Sequence, residues 1–319
     1  MEALVSIITP CKNAAPWLLD CYESIKNQTY SKWEWVVVDD HSDDSTLELL
    51  YNIREKDSRI HVHSNADKGI ISALSTALSY SKGEYITRMD ADDKMPPERL
   101  SQMVNLLKKS SKNTVVTGLV KYFSTESVSN GYLEYQNWIN QINLSDQQWN
   151  QIYRECVIAS PNWITRKSDL IDCGGFDELS YPEDYDLVFQ WYKNGFTIQT
   201  FPGITLHWRE HPKRTSRTSE NYQQEAFFGL KLKRFIELDY KGRPLIIWGN
   251  NIKSKLAQRI LKKHKVNVTI QDLQDFKSIE SIKDPQLLIA VYPTETERIQ
   301  IINYLNSINL IEGENWWWL

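Results

Sequence analysis

The sequence of 319 residues predicts an α/β protein with a mostly parallel central sheet, followed by a second, smaller α/β domain. Two observations support this prediction. Short β-branched runs alternate with helix-like segments through the first hundred residues, and these runs are apolar throughout. Uniformly apolar strands joined by helices are typical of a parallel sheet that is covered on both faces. The alternation starts again near residue 240, so we expect domains at residues 1–240 and 241–319.

The first ninety residues contain four strand candidates that end at polar residues: 4–10, 34–40, 59–64 and 84–90. Pro16 can open a helix at its first turn, where a backbone N–H is not needed. Asp43 or Asp44 can cap the next helix, and residues 70–81 form a third helix that ends before Gly83. In open parallel sheets ligands bind beyond the carboxyl ends of the strands, so a binding site is expected there.

The rest of the chain is less regular until the second domain begins. A capped helix is predicted at residues 145–156, an amphipathic helix at 181–195 and a long helix at 220–240. The remaining predicted elements are strands at 114–123, 243–251, 266–272 and 285–293 and helices at 252–264 and 295–308.

Composition and charge exclude several classes of protein. A net charge of −4 argues against a nucleic-acid binder, which usually carries a basic face. The four cysteines are scattered without a CxxC pair, which predicts neither a zinc site nor a disulfide framework and fits a reducing compartment. No apolar run reaches the length of a signal peptide or a membrane span. We therefore expect a cytoplasmic protein.

Asp90, Asp92 and Asp93 fall within four positions at the end of a predicted buried strand. Like charges this close repel one another unless a cation neutralises them. On an extended chain residues two apart face the same way, so Asp90 and Asp92 would point to one ligand. A few hard oxygen ligands suit Mg²⁺ or Mn²⁺, which also bind substrate phosphates. The alternative is a solvated acidic loop that caps the following helix.

Two polar clusters follow other predicted strands. Asp39 could hydrogen-bond a base or a ribose, although helix capping explains the acidic residues after it equally well. Lys68 and Gly69 precede a predicted helix, whose N-terminus together with a lysine favours an anionic or polar ligand group. An ordinary loop with a glycine is the alternative for that pair.

Two segments in the second half supply further candidate groups. Glu183 and Asp184 lie in the first turn of a predicted helix, where acidic residues are favourable, but near a cavity they could supply a general base. Residues 206–217 carry His207, His211 and several cations that could complete a diphosphate site. The alternatives are a solvated basic loop and, for His207, a core histidine on a strand.

Taken together and in this order, the motifs resemble those of family 2 glycosyltransferases of the GT-A fold. The resemblance covers residues 3–235 and rests on the segments SIITPCKNAAPWL, VVVDDHSDDST, DKGIISALSTALSYSKGEYITRMDADD, GGFDE, YPEDYDLVFQW and WREHPKRTSR. It implies a divalent ion, Mn²⁺ or Mg²⁺, and a nucleotide-sugar donor, most often a UDP-sugar. It also implies an acceptor that is a polysaccharide or a lipid-linked glycan.

The resemblance implies roles for individual residues. Asp184 matches the catalytic carboxylate, and Asp92 and His211 match the metal site, with His211 in an R-x-H-x4-S pattern that ends at Ser216. Residues that would bind the donor nucleotide are Thr9, Pro10, Asp39, Asp67, Lys68, Gly69 and Asp90, of which Asp39 would contact the base and Asp90 the ribose. Residues with supporting roles would be Asp93, Glu183, Arg209 and Arg214.

The implied reaction is a single inverting displacement. One carboxylate activates the acceptor hydroxyl, while the ion and nearby cations stabilise the charge of the leaving diphosphate. Two alternatives stay open: a non-catalytic nucleotide-binding or assembly protein on the same fold, and another sugar-nucleotide enzyme that uses the same metal site.

The predicted C-terminal domain opens with a strand and a helix, as a dinucleotide-binding fold does. Asn250 and Ser254 stand where the glycines of GxGxxG would be, so we expect a degraded Rossmann-like domain with a packing or assembly role, such as forming a homo-oligomer. Nucleotide binding by this domain is the alternative. The tail Trp316–Trp318 could touch the inner face of a membrane, or be buried in its own domain or against a partner subunit.

Overall fold

The structure, a computed structural model, describes residues 2–291 and 293–319, without the side chains of Ser216 and Phe276. The predicted fold class is confirmed, because helices accompany a mostly parallel seven-stranded sheet and a smaller four-stranded sheet. None of the described helices combines the length and the apolar character that crossing a membrane requires.

The chain forms two compact units. The first runs up to Asp146 and resumes at Ile158–Arg214, and the second contains Gln147–Val157 and Thr215–Leu319. The domain boundary near residue 240 remains a prediction about folding domains, since the spatial division falls earlier in the chain.

The first unit contains seven strands: β1 (Val5–Cys11), β2 (Trp33–Asp39), β3 (Ile60–Ser64), β4 (Tyr85–Arg88), β5 (Thr114–Phe123), β6 (Trp163–Arg166) and β7 (Thr197–Arg209). Their order in the sheet is β3-β2-β1-β4-β6-β5-β7. The pairs among β1, β2, β3 and β4 are parallel, as are β5 and β7, whereas β6 runs antiparallel to β4 and β5.

The helices of this unit are α1 (Leu18–Lys26), α2 (Thr46–Arg54), α3 (Ile70–Tyr80), α4 (Arg99–Lys109), α5 (Asn130–Leu144), α6 (Lys167–Asp172) and α7 (Glu183–Lys193). All seven residues of β2 are buried, as expected for a strand of a parallel sheet covered on both faces. The apolar face of α1, with Leu18, Cys21 and Ile25, belongs to the same core.

The second unit contains four parallel strands: β8 (Leu245–Trp248), β9 (Val268–Gln271), β10 (Gln286–Ile289) and β11 (Trp316–Trp318), in the order β11-β10-β8-β9. Its helices are α8 (Thr215–Thr218), α9 (Gln224–Leu238), α10 (Ile252–Lys263) and α11 (Glu295–Ser307). The strand and helix alternation expected after residue 240 is therefore present.

The tryptophan tail is a buried strand. Trp316, Trp317 and Trp318 are each at most 2% exposed. Trp316 and Trp318 belong to the apolar core of the second unit, and Trp317 lies edge-on to Phe235 and Tyr153. The tail is thus buried in its own unit, and the alternative of a membrane contact for it is wrong.

The prediction of a helix at residues 145–156 is also wrong. This segment contains only a short 3-10 turn, Trp149–Gln151, because side chains fix it inside the second unit. Tyr153 donates a hydrogen bond to Asp239 at 2.6 Å, and Nε2 of Gln151 donates to Glu312 at 3.2 Å. Tertiary contacts of this kind override the local preference for a helix.

Candidate active site

The candidate active site lies at the carboxyl ends of the parallel strands in the first unit. Cys11 pairs with Asp39, and Asp39 pairs with Ser64, so β1, β2 and β3 end at the same level. On the other side of β1, β4 ends at Arg88, which pairs with Ile8. The residues that follow these ends meet along one edge, which is where the sequence predicted a ligand.

Asp39 is buried at the end of β2 with one carboxylate oxygen unused. Its Oδ2 accepts a hydrogen bond from the backbone N–H of Ser42 at 3.1 Å. Its Oδ1 is buried and has no hydrogen-bond partner among the described residues. A buried acceptor without a donor is costly, and a ligand could supply the missing donor. The unused oxygen fits the prediction that Asp39 contacts a ligand.

Asp40 holds the predicted nucleoside loop beside Asp39. Its carboxylate accepts a hydrogen bond from the backbone N–H of Gly69 at 2.9 Å. Gly69 has a φ of 103°, in the left-handed region that favours glycine. The side chains of Asp67 and Lys68 are exposed on the same loop. The structure therefore brings the loop to this edge of the sheet.

Thr9 and Pro10 lie within β1, which continues to Cys11. Thr9 is fully buried, and its Oγ1 accepts a hydrogen bond from Nε1 of Trp35 at 2.8 Å. The threonine hydroxyl therefore stabilises the sheet itself. A place for these two residues under the nucleotide remains a prediction that depends on their backbone.

The acidic triplet forms a turn, because the N–H of Asp93 donates to the carbonyl of Asp90 at 3.2 Å. The extended geometry assumed from the sequence is wrong here, since β4 ends at Arg88. The three carboxylates contact different groups: Asp90 accepts from Nε of Arg88 at 2.7 Å, Asp92 lies 2.8 Å from Nε2 of His211, and Asp93 accepts from the backbone N–H of Arg209 at 2.7 Å.

The surroundings act differently on the three carboxyl groups. Burial raises the pKa of Asp90 against the opposing charge of Arg88, and burial together with the charge of Asp92 raises the pKa of Asp93 well above its ordinary value. Burial also acts on Asp92, but the hydrogen bond from His211 and the charge of Arg214 outweigh it and lower its pKa. Asp92 therefore stays negatively charged at neutral pH, as a metal ligand must.

The segment from Arg209 to Arg214 lies across the acidic turn. Arg209 donates from Nε to the carbonyl of Asp92 at 2.6 Å and from Nη2 to Asp20 at 2.8 Å. The ring of His211 stacks on Trp17, with the ring centroids 3.8 Å apart. These contacts fix the histidine next to the acidic turn.

The remaining predicted residues of this segment have other surroundings. Arg214 pairs with Glu210 at 3.5 Å, and its guanidinium lies 5.0 Å from the ring centroid of Trp208. His207 lies on β7, in agreement with the alternative of a strand histidine. The side chain of Ser216, which ends the predicted histidine motif, lies outside the described part of the structure.

Asp92 and His211 are the residues that could hold a divalent ion. A carboxylate oxygen and an imidazole nitrogen converge here, and both are suitable ligands for Mn²⁺. In the part of the chain that the structure describes, no three or more histidine, cysteine, aspartate or glutamate side chains form a metal-binding group. Mg²⁺ usually keeps several waters and binds substrate phosphates, so a protein site with few ligands fits this chemistry.

Glu183 and Asp184 open α7 beside the end of β4. Glu183 is buried and accepts a hydrogen bond from Nη1 of Arg88 at 3.0 Å. Asp184 is half-buried, and its Oδ1 accepts a hydrogen bond from the N–H of Tyr185 at 2.8 Å. Burial, followed by the charge of Glu183, raises the pKa of Asp184 to about 7. A carboxyl group with this pKa is suited to accept a proton from a hydroxyl near neutral pH.

Sequence reasoning gave no role to Arg88, Asp40 or Trp17. The sequence did contain a signal for Arg88, because a cation inside an apolar strand candidate needs a buried counter-charge. Asp40 ends the predicted strand 34–40 and so falls at the expected ligand edge, but its contact with Gly69, like that of Trp17 with His211, joins residues distant in sequence that meet only in the folded chain.

The fold is that of the GT-A class of glycosyltransferases. Residues 6–174, more than half of the chain, match the model of the family described as Glycosyl transferase family 2. The chain therefore belongs to glycosyltransferase family 2.

Two curated relatives carry related names. The chain is 29% identical over 241 residues to an uncharacterized glycosyltransferase of Haemophilus influenzae, and the alignment covers 72% of each protein. It is 34% identical over 118 residues to the putative teichuronic acid biosynthesis glycosyltransferase TuaG of Bacillus subtilis, and this alignment covers 37% of the chain and 47% of TuaG.

Two solved structures share the fold. S. aureus TarS in complex with UDP-GlcNAc aligns with a TM-score of 0.56 at 17% identity, over 95% of this chain and 80% of that one. The mannosyltransferase PcManGT of Pyrobaculum calidifontis, in complex with GDP-Man and Mn²⁺, aligns with a TM-score of 0.57 at 20% identity, over 74% of this chain and 64% of that one.

Proposed function

We propose that this protein is a metal-dependent, inverting glycosyltransferase that uses a UDP-sugar as donor. It transfers the sugar to a hydroxyl group of a polysaccharide or a lipid-linked glycan in the cytoplasm. The observation that carries the proposal is the position of Asp184. A carboxyl group with a pKa of about 7 lies at the same sheet edge as the Asp92–His211 pair, and Arg88 links the neighbouring Glu183 to Asp90.

Asp184 acts as the general base. In its deprotonated form it accepts the proton of the acceptor hydroxyl, whose oxygen forms a bond to the anomeric carbon of the donor sugar. The bond from that carbon to the diphosphate breaks, and its electron pair leaves on the phosphate oxygen. One carboxylate is enough for a single displacement, in contrast to glycoside hydrolases, which use two.

Asp92 and His211 would hold the divalent ion, Mn²⁺ or Mg²⁺, which when bound supplies positive charge against the leaving diphosphate. Arg209 and Arg214 add positive charge on the same segment as His211. The Mn²⁺ in the mannosyltransferase complex supports this class of ion. Asp93 supports the segment through its hydrogen bond from the backbone of Arg209.

Asp39 would read the base of the donor nucleotide. Its Oδ2 already accepts a hydrogen bond, so Oδ1 is the oxygen that lacks a donor. Uracil offers one ring N–H to such an acceptor, whereas guanine presents two adjacent donors that suit a carboxylate with both oxygens available. The UDP-GlcNAc bound to the structural neighbour TarS agrees with a uridine nucleotide.

The destination of the sugar is proposed from a relative alone. TuaG is named for teichuronic acid biosynthesis, which supports a polysaccharide product. The buried tail Trp316–Trp318 gives no support to a membrane contact, and assembly through the second unit remains a prediction.

A thermal-shift screen tests the donor site. The protein is melted with UDP, GDP, CDP or TDP, each with and without Mn²⁺. We expect UDP with Mn²⁺ to stabilise the protein, by about 2.7 kcal/mol when the ligand is at a hundred times its Kd. We expect Asp92→Ala to lose the metal-dependent part of the shift.

The matched control is Asp172→Ala, which removes an exposed carboxylate on α6 of the same unit, outside the motifs assigned to the site. It should keep the full shift. The proposal fails if no nucleotide gives a metal-dependent shift, or if Asp92→Ala keeps one.

A further inference from the structure

Arg88 connects two motifs that lie 95 residues apart in the chain. Its side chain is 5% exposed at the end of β4. Nε and Nη2 donate to the two oxygens of Asp90 at 2.7 and 3.4 Å, while Nη1 donates to Oε1 of Glu183 at 3.0 Å. The planar guanidinium is thus bonded to one carboxylate of the acidic turn and to the first residue of α7.

The charges in this cluster leave Arg88 as its central cation. Asp184 is faced by Glu183 on its own helix and by Arg88 and Asp90 at the end of β4. One guanidinium therefore stands among three carboxyl groups. Removing one partner of a buried ion pair leaves an uncompensated charge. Arg88 is therefore the group that compensates the negative charge of this cluster.

The surroundings make these interactions strong. Trp163, Phe176 and Trp191 line the pocket at Glu183 and Asp184, and the paired side chains of Arg88 and Glu183 are only 5% and 2% exposed. Charges interact more strongly where water is excluded than they do in solution. The contact between Arg88 and α7 is therefore not a screened surface ion pair.

A second contact holds the start of α7 to the donor side. The hydroxyl of Tyr181 packs against the nucleoside loop, because a Cβ added to Gly69 would lie 3.0 Å from its oxygen. The residues just before Asp184 thus contact the nucleoside loop, and those beside it contact Asp90 through Arg88.

We propose that Arg88 is a positioning residue for sugar transfer, which ties the start of α7 to the acidic turn and so holds the carboxylate of Asp184 in register with the donor. This inference rests on the proposed role of Asp184 as the base. It adds that the donor side and the acceptor side of the reaction are mechanically and electrostatically linked through one guanidinium.

The electrostatic link predicts that the pKa of Asp184 shifts in opposite directions when Arg88 or Glu183 is replaced. Arg88 lowers the pKa of Asp184 and Glu183 raises it. Arg88→Met should therefore raise the pKa of Asp184, and Glu183→Gln should lower it, each by about one unit, because a charge at close range shifts a carboxyl pKa by about that much or more. Arg88→Lys keeps the charge and should shift the pKa less than Arg88→Met does.

The measurement is a pH titration of the protein labelled with ¹³C at the aspartate carboxyl carbons, followed by NMR. The resonance of Asp184 is assigned with Asp184→Asn. Arg166→Met is the matched control, because Arg166, on the neighbouring strand β6, donates to the backbone carbonyls of Leu107, Ser110 and Ser111, none of which belongs to the cluster around Arg88. Arg166→Met should leave the pKa of Asp184 unchanged.

Opposite shifts of the Asp184 pKa in Arg88→Met and Glu183→Gln support the proposal. If Arg88→Met does not fold, Arg88→Lys takes its place, because a lysine cannot donate to Asp90 and Glu183 together as the guanidinium does, and the pKa of Asp184 should still rise. Shifts in the same direction, or a shift in Arg88→Met no larger than in the control, overturn it. The thermal-shift screen with UDP and Mn²⁺ is read separately. A wild-type protein that binds no nucleotide refutes the proposed function, whereas the titration still reports on the coupling.

Discussion

The two sheets of this protein share a design but differ at their strand ends. In both, parallel strands are joined by helices, so polar groups collect beyond the carboxyl ends of the strands. In the first unit several buried polar atoms have no hydrogen-bond partner within the described residues: Oδ1 of Asp39, Oδ2 of Asp93 and Nδ1 of His211. These atoms are available to a ligand.

In the second unit the corresponding place is filled by Asn251. Its side chain accepts from the backbone N–H groups of Lys253 and Ser254 at the start of α10, and donates to the carbonyl of Ala290 after β10 at 2.5 Å. Gly249 packs so closely that a Cβ would lie 2.6 Å from Val291. The helix start that binds phosphate in nucleotide-binding folds is thus closed by the protein itself.

The comparison teaches that an α/β sheet offers a binding edge, but side chains decide whether that edge stays open. The first unit leaves charges and acceptors unpaired, at a cost in stability that a ligand can recover. In the second unit Asn251 occupies the helix start from within the protein, although Oγ of Ser254 and Oε1 of Gln271 have no hydrogen-bond partner among the described residues. The predictions below test this difference, in order of decreasing effect.

Asp184→Asn should reduce kcat by about 10²- to 10⁴-fold, because an amide cannot accept the hydroxyl proton. The assay follows nucleoside diphosphate release with the donor sugar that matches the nucleotide selected by the thermal-shift screen. Asp172→Asn, at an exposed position on α6, serves as the control and should keep the wild-type rate. A rate for Asp184→Asn within a few-fold of wild type would remove Asp184 from the mechanism.

Trp317→Ala should lower the free energy of unfolding by about 3–5 kcal/mol, because a large buried side chain is lost and a cavity is left. Trp317 is 1% exposed and lies 5.1 Å, centroid to centroid, from Phe235. Urea denaturation measures the change. The stabilisation by UDP and Mn²⁺ at low temperature should persist, and its loss would contradict the assignment of nucleotide binding to the first unit.

The rate should depend on pH through Asp184. Its pKa is raised to about 7 in the folded protein, so the active, deprotonated form is lost as the pH falls below 7. We expect kcat to fall tenfold per pH unit on the acid side.

The same shift makes the free energy of unfolding decrease as the pH rises from the ordinary value of 3.8 toward 7, because the folded state binds the proton more tightly. An acid limb of the kcat profile near pH 4 would contradict the raised pKa of Asp184 and its role as the base.

Asn251→Ala should lower the free energy of unfolding by about 1 kcal/mol, the usual effect of removing a helix cap. It should leave the binding of UDP with Mn²⁺ unchanged, as judged by the thermal shift. A loss of nucleotide binding in this variant would show that the second unit contributes to the donor site, and would break the contrast between the two strand edges.

Much of the fold could be predicted from the sequence. Apolar strands such as 34–40 and the helix start at Glu183 depend on local periodicity, which acts over a few residues. The helix predicted at 145–156 failed because Tyr153 and Gln151 are fixed by partners far away in the chain. The tail of three tryptophans was ambiguous for the same reason, since its surroundings are decided by packing.

For the site, the sequence by itself determined the chemical groups: three neighbouring carboxylates, a histidine among cations, and two acids at a helix start. Local composition carries that information, because like charges in a row need a counter-ion. Only the tertiary structure decided how the groups are paired. Asp92 meets His211, and Arg88 joins Asp90 to Glu183, because separate strands end at one edge. Such pairings follow from chain topology over a hundred residues, which no local pattern encodes.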